Sequence, residues 1–179
     1  MHFGLLSLEL QEKEKNDLCD QSSFIFGTVL GGFFDGASQA HGNCCGAGGL
    51  LILSPSYKVF WKLNLGEGIN TKGEFVGLWA LFNLARYFKL SNLQACGDSS
   101  VVMRWFEGLQ MLDVLYLDLW KRRIRVMVAD FDSVKACHIY RQYNTEADIL
   151  SKKSLDAKKM SSSGGQSRMI SWALLSASI

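Results

Sequence analysis

Two aspartates stand where apolar segments give way to small residues. Asp35 ends an apolar run and is followed by a glycine, and Asp98 follows Gly97 at the end of a shorter run. An Asp-Gly pair often forms no more than the turn of a hairpin. A carboxylate at the end of a strand, however, also lies at the sheet edge where open α/β folds bind their ligands. These two aspartates are therefore candidates for a chemical role.

Two further acids fall in the first turns of predicted helices. Thr71 and Glu74 have the spacing of a capping box, and Asp148 follows Asn144 and Thr145, either of which can begin a helix. An acid in a first turn also interacts favourably with the helix dipole. Taken alone, each carboxylate thus has a purely structural explanation that the sequence leaves open.

The four acids can form one site if the strands that end at Asp35 and Asp98 are parallel neighbours. Both carboxylates then emerge at the same end of the sheet, where Glu74 and Asp148 can join them. Carboxylates gathered at one place repel each other unless cations neutralise them, and hard ions such as Mg²⁺ prefer oxygen ligands. Because no set of Cys or His ligands accompanies them, the grouping predicts Mg²⁺ or Mn²⁺ rather than zinc.

Strands are needed to position the aspartates. Glycine-bounded apolar runs at 24–35 and 50–53, and an alternating segment at 57–65, predict three strands joined by short loops. Such an arrangement favours an antiparallel meander. Two later strands are expected, at 93–96 and 131–140.

Helices follow the meander and alternate with the later strands. Apolar residues at i, i+3, i+4, i+7 and i+10 predict an amphipathic helix over 75–85, and a further helical pattern covers 112–128. Shorter helices are expected to begin near residues 100 and 145. Three strands followed by helices and two more strands predict a mixed sheet with helices packed on it.

Length and composition restrict the class of protein. The 179 residues suffice for one domain with a proper core, and 48% of them are apolar. The net charge of +2 provides no overall attraction to nucleic acid or membranes, so any basic surface has to be local, as at 121–125. Five cysteines without a CxxC pair, and no visible signal peptide or spanning segment, predict an intracellular protein, nuclear or cytoplasmic.

The two ends of the chain differ in character from its centre. Residues 1–22 are polar in the middle and weakly patterned, and SSSGGQSRM near the other end is typical of a flexible linker. The sequence therefore predicts a poorly ordered extension over 1–22, an organised domain over 23–159 and a flexible tail over 160–179.

Several short motifs follow one another in order along the chain. FFDGAS and GAGG precede the helix that begins near Glu74, and GDS and HIYRQYNTEADIL come after it. This ordered set resembles the type 1 ribonuclease H family, in the variety found in plant retrotransposon-derived reading frames, over about residues 30–155. The resemblance implies a ribonuclease H-like α/β fold, with a five-stranded mixed sheet of three antiparallel and then two parallel strands and helices on both faces.

The resemblance also implies roles for individual residues. The family's catalytic acids, which hold two Mg²⁺ or Mn²⁺ ions, correspond to Asp35, Glu74, Asp98 and Asp148. A histidine that assists proton movement or product release corresponds to His138. The implied substrate contacts are Gly36, Asn70, Ser99 and Asn144. The implied activity is endonucleolytic, two-metal hydrolysis of the RNA strand of RNA–DNA hybrids. We also expect a monomer that does not bind a membrane.

Some positions depart from the family pattern. Gly73 places a helix-breaking residue directly before Glu74, at a cost of roughly 1 kcal/mol relative to alanine. QAHGNCCG replaces a commoner turn that contains Lys and Pro, and the stretch from Asp98 to Asp148 is too short for the basic protrusion of some members. Two alternatives therefore stay open: a catalytically weak or inactive, transposon-derived nucleic-acid-binding domain, and a protein-interaction module that uses the apolar tails.

Overall fold

The computed structural model describes residues 30–39 and 44–159. The predicted extension at 1–22 and the predicted tail at 160–179 lie outside the described residues. Within the described residues, no helix combines the length and the apolar character needed to cross a bilayer.

In the part of the chain that the structure describes, five strands form one mixed sheet in the order β3-β2-β1-β4-β5. β1 pairs antiparallel with β2 and β2 with β3, whereas β1 pairs parallel with β4 and β4 with β5. The predicted fold class is thereby confirmed. The second strand begins at residue 45 instead of residue 50, because its glycine-rich half also pairs with β1. The strands are β1 Leu30–Ser38, β2 Cys45–Ser54, β3 Tyr57–Asn64, β4 Asn92–Gly97 and β5 Ser133–His138.

Four α-helices within the described residues connect or flank the strands. The helix predicted over 112–128 is shorter in the structure, because Val114 has extended backbone and a 3-10 turn follows it at Leu115–Leu117. Two further 3-10 segments, Arg141–Tyr143 and Ser154–Lys159, flank the last helix. The helices are α1 Asn70–Tyr87, α2 Ser100–Phe106, α3 Asp118–Val128 and α4 Thr145–Lys153.

Side chains of β1 alternate between two hydrophobic cores. Phe34 packs into the larger core, which contains residues of α1, α2 and α3. Phe33 packs into the smaller core with Leu50 of β2 and Ala147 of α4. Successive strand residues point to opposite faces, so helices cover both sides of the sheet. Asp35, two residues after Phe33, consequently lies on the face that α4 covers.

Candidate active site

Parallel pairing brings the two strand-end aspartates together. Phe33 of β1 is the register partner of Cys96 of β4, and Asp35 and Asp98 each lie two residues further along. Both carboxylates therefore reach the same end of the sheet, as the sequence predicted. Asp35 is buried, and Asp98 is half-buried just beyond the end of β4.

Glu74 reaches the aspartates because α1 lies directly on the backbone of β1. A Cβ atom on Gly36 would collide with the backbone nitrogen of Glu74, and one on Gly73 would lie 2.6 Å from the carbonyl oxygen of Gly46. Gly73, which costs helix propensity, thus allows the close approach that brings Glu74 to the sheet. The capping-box explanation of Glu74 is wrong, because α1 begins after Ile69 without a side-chain cap.

Three carboxylates meet at this end of the sheet, and we call Asp35, Glu74 and Asp98 the acidic trio. One carboxylate oxygen from each residue lies within 4.8 Å of the other two. Burial raises the pKa of Asp35 to about 6; a hydrogen bond from Ser151 opposes the shift, and the charge of Asp98 adds to it. Burial and the charges of Asp35 and Asp98 hold the pKa of Glu74 well above its usual range. The protein alone therefore disfavours the fully ionised trio.

A divalent cation fits the chemistry of the acidic trio. Glu74 Oε2 is buried and has no hydrogen-bond partner among the described residues. Leaving a polar oxygen buried without a donor costs free energy, and a bound cation would remove that cost. Since all three donors are carboxylates, the site suits Mg²⁺ or Mn²⁺.

Asp148 lies beside the acidic trio without belonging to it. Arg141 Nη2 donates to one carboxylate oxygen and Lys152 Nζ to the other, each at 2.6 Å. Burial acts to raise the pKa of Asp148, but the hydrogen bonds from Lys152 and Arg141 outweigh it and lower the pKa. The structure thus gathers three of the four predicted metal ligands, and the metal-binding role of Asp148 stays a prediction.

Asn144, which the sequence predicted to contact the substrate, is buried next to Asp98. Its side chain is 0% exposed and donates to the carbonyl oxygen of Phe34 at 2.9 Å and to Asp98 Oδ1 at 3.3 Å. The burial of Asn144 points to a structural role in this arrangement, and its predicted contact with the substrate stays a prediction. Asn144 ties the start of α4 to the ends of β1 and β4 and orients Asp98.

The other predicted site residues surround the acidic trio. Gly36 is buried beneath α1, where it allows close packing, and its predicted contact with the substrate stays a prediction. Asn70 is exposed, and its amide nitrogen lies 3.4 Å from Glu74 Oε1. Ser99 is half-buried before α2 and makes no side-chain cap. His138 ends β5, is exposed, and has Nε2 at 3.2 Å from the backbone oxygen of Asp98.

Ser151 is a site residue that the sequence interpretation missed. It is fully buried on α4, and its hydroxyl lies 2.7 Å from Asp35 Oδ2. A serine in a helix is ordinary, and the available signal was its spacing of three from Asp148, which places both residues on one side of α4.

The basic cluster at 121–125 is partly engaged with aromatic rings. The guanidinium of Arg123 lies 5.2 Å from the ring centre of Trp120 and 5.9 Å from that of Trp79. Arg125 lies 5.0 Å from the ring centre of Trp105, which is buried. These distances are typical of cation–π contacts, so packing on α3 accounts for two of the cluster's charges.

Comparisons with known proteins agree with this geometry. The profile of the reverse transcriptase-like family matches residues 33–154. Ribonuclease H1 of the archaeon Halobacterium salinarum is 25% identical, with a TM-score of 0.68 over 73% of this chain and 99% of that one. No curated protein sequence gives a significant match.

Two further solved structures share the fold. The N-terminal ribonuclease H domain of a Mycobacterium tuberculosis protein, solved as a fusion with maltose-binding protein, is 20% identical, with a TM-score of 0.67 over 72% of this chain and 100% of that one. LC11 ribonuclease H1, solved in complex with an RNA/DNA hybrid, is 17% identical, with a TM-score of 0.66 over 72% of this chain and 98% of that one. With the profile match over most of its length, the chain belongs to the reverse transcriptase-like family, as a domain of the ribonuclease H type.

Proposed function

We propose that this domain is a metal-dependent endonuclease that hydrolyses the RNA strand of RNA–DNA hybrids. The observation that carries the proposal is the acidic trio, whose oxygens lie within 4.8 Å of one another while one buried oxygen of Glu74 has no partner among the described residues. The hybrid bound to LC11 ribonuclease H1 supports the choice of substrate.

Asp35, Glu74 and Asp98 would hold the cations, two in number by the family resemblance, with Asp148 beside them. Bound divalent cations supply activation of the attacking water and neutralisation of the charge that develops on the phosphate. Glu74 keeps its carboxylate buried, so competing water is excluded on that side. Asn144 fixes Asp98 through its amide hydrogen bond.

Three exposed or half-exposed residues are suited to the substrate and the product. His138 is suited to proton transfer or product release, since its ring is exposed at the end of β5. Asn70 and Ser99 present an amide and a hydroxyl at the rim of the acidic trio. Selection of RNA over DNA requires contacts to 2′-hydroxyl groups across the minor groove, and these two side chains have the required donors and acceptors.

The direct test is incubation of the purified protein with a labelled RNA–DNA hybrid in Mg²⁺ or Mn²⁺. We expect internal cleavage of the RNA strand and its loss in Asp35→Asn and in Asp98→Asn. Asp132→Asn is the matched control, because this exposed aspartate lies before the start of β5, at the opposite end of the sheet. Cleavage that survives both site substitutions would reject the proposal.

One observation favours the alternative of a catalytically weak or inactive nucleic-acid-binding domain. Both oxygens of Asp148 are occupied by Arg141 and Lys152, which leaves this acid less available to a cation. The alternative predicts that a hybrid binds, as measured by fluorescence anisotropy, and stays intact at every Mg²⁺ or Mn²⁺ concentration. A plant, retrotransposon origin belongs to either proposal and rests on the sequence motifs.

The remaining expectations rest on the sequence alone. We propose an autonomous domain over 23–159, a monomeric state and an intracellular location. Expression of residues 23–159 followed by sedimentation and cleavage measurements would test the first two. A folded, active fragment that sediments as a single copy is the expected result.

A further inference from the structure

The buried hydroxyl of Ser151 contacts two elements of the site at once. Its Oγ lies 2.7 Å from Asp35 Oδ2 and 2.9 Å from the carbonyl oxygen of Asp148. The hydroxyl has one proton, so it can donate to only one of these oxygens at a time. An ionised carboxylate is the stronger acceptor, and the proton therefore goes to Asp35 whenever that group is charged.

The position of Ser151 is fixed by close packing of α4 on the sheet. A Cβ atom on Gly48 of β2 would collide with the backbone nitrogen of Ser151 and lie 2.5 Å from the carbonyl carbon of Leu150. The helix backbone thus rests on the strand without an intervening side chain. Ser151 has 0% exposure, so solvent does not compete for its hydroxyl.

Ser154 shows what a serine does here without a contact to the acidic trio. It is equally buried, and its hydroxyl donates to the carbonyl oxygen of Ser151 three residues earlier at 2.5 Å. Such bonding to a preceding carbonyl satisfies the one donor of a buried serine hydroxyl. Ser151 has the same option in the carbonyl of Asp148, so its contact with Asp35 is additional to what burial requires.

We propose that Ser151 is a positioning residue that holds the Asp35 carboxylate in the orientation in which it binds a divalent cation. The proposal rests on the proposed metal-dependent function. Without the hydroxyl, Asp35 loses a buried donor to Oδ2, and its side chain can rotate away from Glu74 and Asp98. Groups that hydrogen-bond to a metal ligand typically contribute 10- to 100-fold to metal affinity or activity.

The test compares Ser151→Ala with Ser154→Ala by calorimetric titration of the metal-free proteins with Mn²⁺. We expect about tenfold weaker binding in Ser151→Ala and a change of less than about twofold in Ser154→Ala. Both variants remove one buried hydroxyl from the same end of the domain. Thermal unfolding in EDTA reports whether each variant is folded. Ser151→Cys, which replaces a strong donor by a weak one, serves if the alanine variant does not fold.

Cleavage kinetics provide a second measurement. In saturating Mg²⁺ we expect kcat to fall with Ser151→Ala while KM for the hybrid stays unchanged, because the hydroxyl acts on a metal ligand and not on the substrate. Equal Mn²⁺ affinity of Ser151→Ala, Ser154→Ala and the unaltered protein would overturn the positioning role alone. Absence of Mn²⁺ binding and of cleavage in the unaltered protein would instead overturn the proposed function.

Discussion

The acidic trio and Asp148 hold negative charge in opposite ways, although they lie side by side. Asp35 and Glu74 are 5% and 4% exposed, and burial raises their pKa values. Asp148 has a cation on each oxygen, and its pKa is lowered. Two direct ion pairs thus favour the charged form of Asp148, whereas burial disfavours the charged forms of Asp35 and Glu74.

The difference indicates where an external cation is needed. Lys152 lies one turn after Asp148 on α4, so the sequence itself provides the counter-charge. Within the part of the chain that the structure describes, Glu74 Oε2 has no hydrogen-bond partner, and the raised pKa of Glu74 favours a proton or a bound cation at this site. The acidic trio is therefore the expected centre of metal binding. Asp148 lies at its edge and is paired with Arg141 and Lys152.

The largest effect is expected for Glu74→Gln, which keeps the volume of the side chain and removes its charge. Hybrid cleavage should fall by about a thousandfold, the upper range for loss of one charge-stabilising group. In EDTA the same variant should unfold at an equal or higher temperature, because a buried charge is no longer desolvated. Single-turnover cleavage and thermal unfolding measure the two effects. A lower unfolding temperature would contradict the conclusion that burial of the Glu74 carboxylate costs stability.

Asp35 should make the metal-free domain less stable as the pH rises. Its pKa is about 6 in the fold against 3.8 as the ordinary value, so between these pH values the folded state binds more protons than the unfolded state. The free energy of unfolding then falls with pH, on the order of 3 kcal/mol by pH 7.

Asp35→Asn should remove this dependence. In EDTA it should stabilise the domain at pH 7 and have little effect at pH 4, as measured by denaturant unfolding. Addition of Mg²⁺ at pH 7 should stabilise the unaltered protein and not the variant. The same effect of the substitution at both pH values would contradict the assigned cause.

Gly73→Ala tests the packing that brings Glu74 to the sheet. The new Cβ would lie 2.6 Å from the Gly46 carbonyl oxygen, and overpacking should cost about 2 kcal/mol of stability after the gain in helix propensity. Gly77→Ala on the same helix is the control, since its closest contact would be 3.2 Å. Urea unfolding should show a larger loss for Gly73→Ala, and equal losses would argue against close approach as the reason for this glycine.

The smallest effect is expected for Asp148→Asn, about a tenfold loss of cleavage rate, or about 1.4 kcal/mol. Stability should change by less than about 1 kcal/mol, because both partners, Arg141 and Lys152, are largely exposed. A loss as large as that of Glu74→Gln would show that Asp148 leaves its partners and joins the metal site.

Much of this arrangement was predictable from the sequence. Apolar periodicity and glycine punctuation reflect burial and turns, so the five strands and the helices followed from them. The meeting of Asp35 with Asp98 followed only on the condition that their strands are parallel neighbours. The first half of β2 was missed because its glycine-rich sequence, CGAGG, has too few side chains to produce a period of two. Such a segment is recognisable as a strand only from its partners.

The remaining features depend on tertiary distances that a single sequence does not contain. Gly73 looked like a defect until the backbone of β1 was seen to lie against it. Asn144 and Ser151 are polar residues whose burial comes from α4 docking onto the sheet. Sequence reasoning identified the acids by their chemistry, whereas the residues that orient them are ordinary in type. Asn144 was therefore predicted only as a substrate contact, and Ser151 was missed.

The docking of α4 has a consequence for the time at which the site forms. Ser151 and Asp35 are 116 residues apart in the chain, and Asn144 reaches back 110 residues to Phe34. Contacts of such long range form late in folding, because the intervening chain must first be ordered. A ribosome-bound chain that ends before α4 would therefore contain all members of the acidic trio without the residues that orient them. Competence for hydrolysis would arise only after α4 has been synthesised and has closed on the sheet.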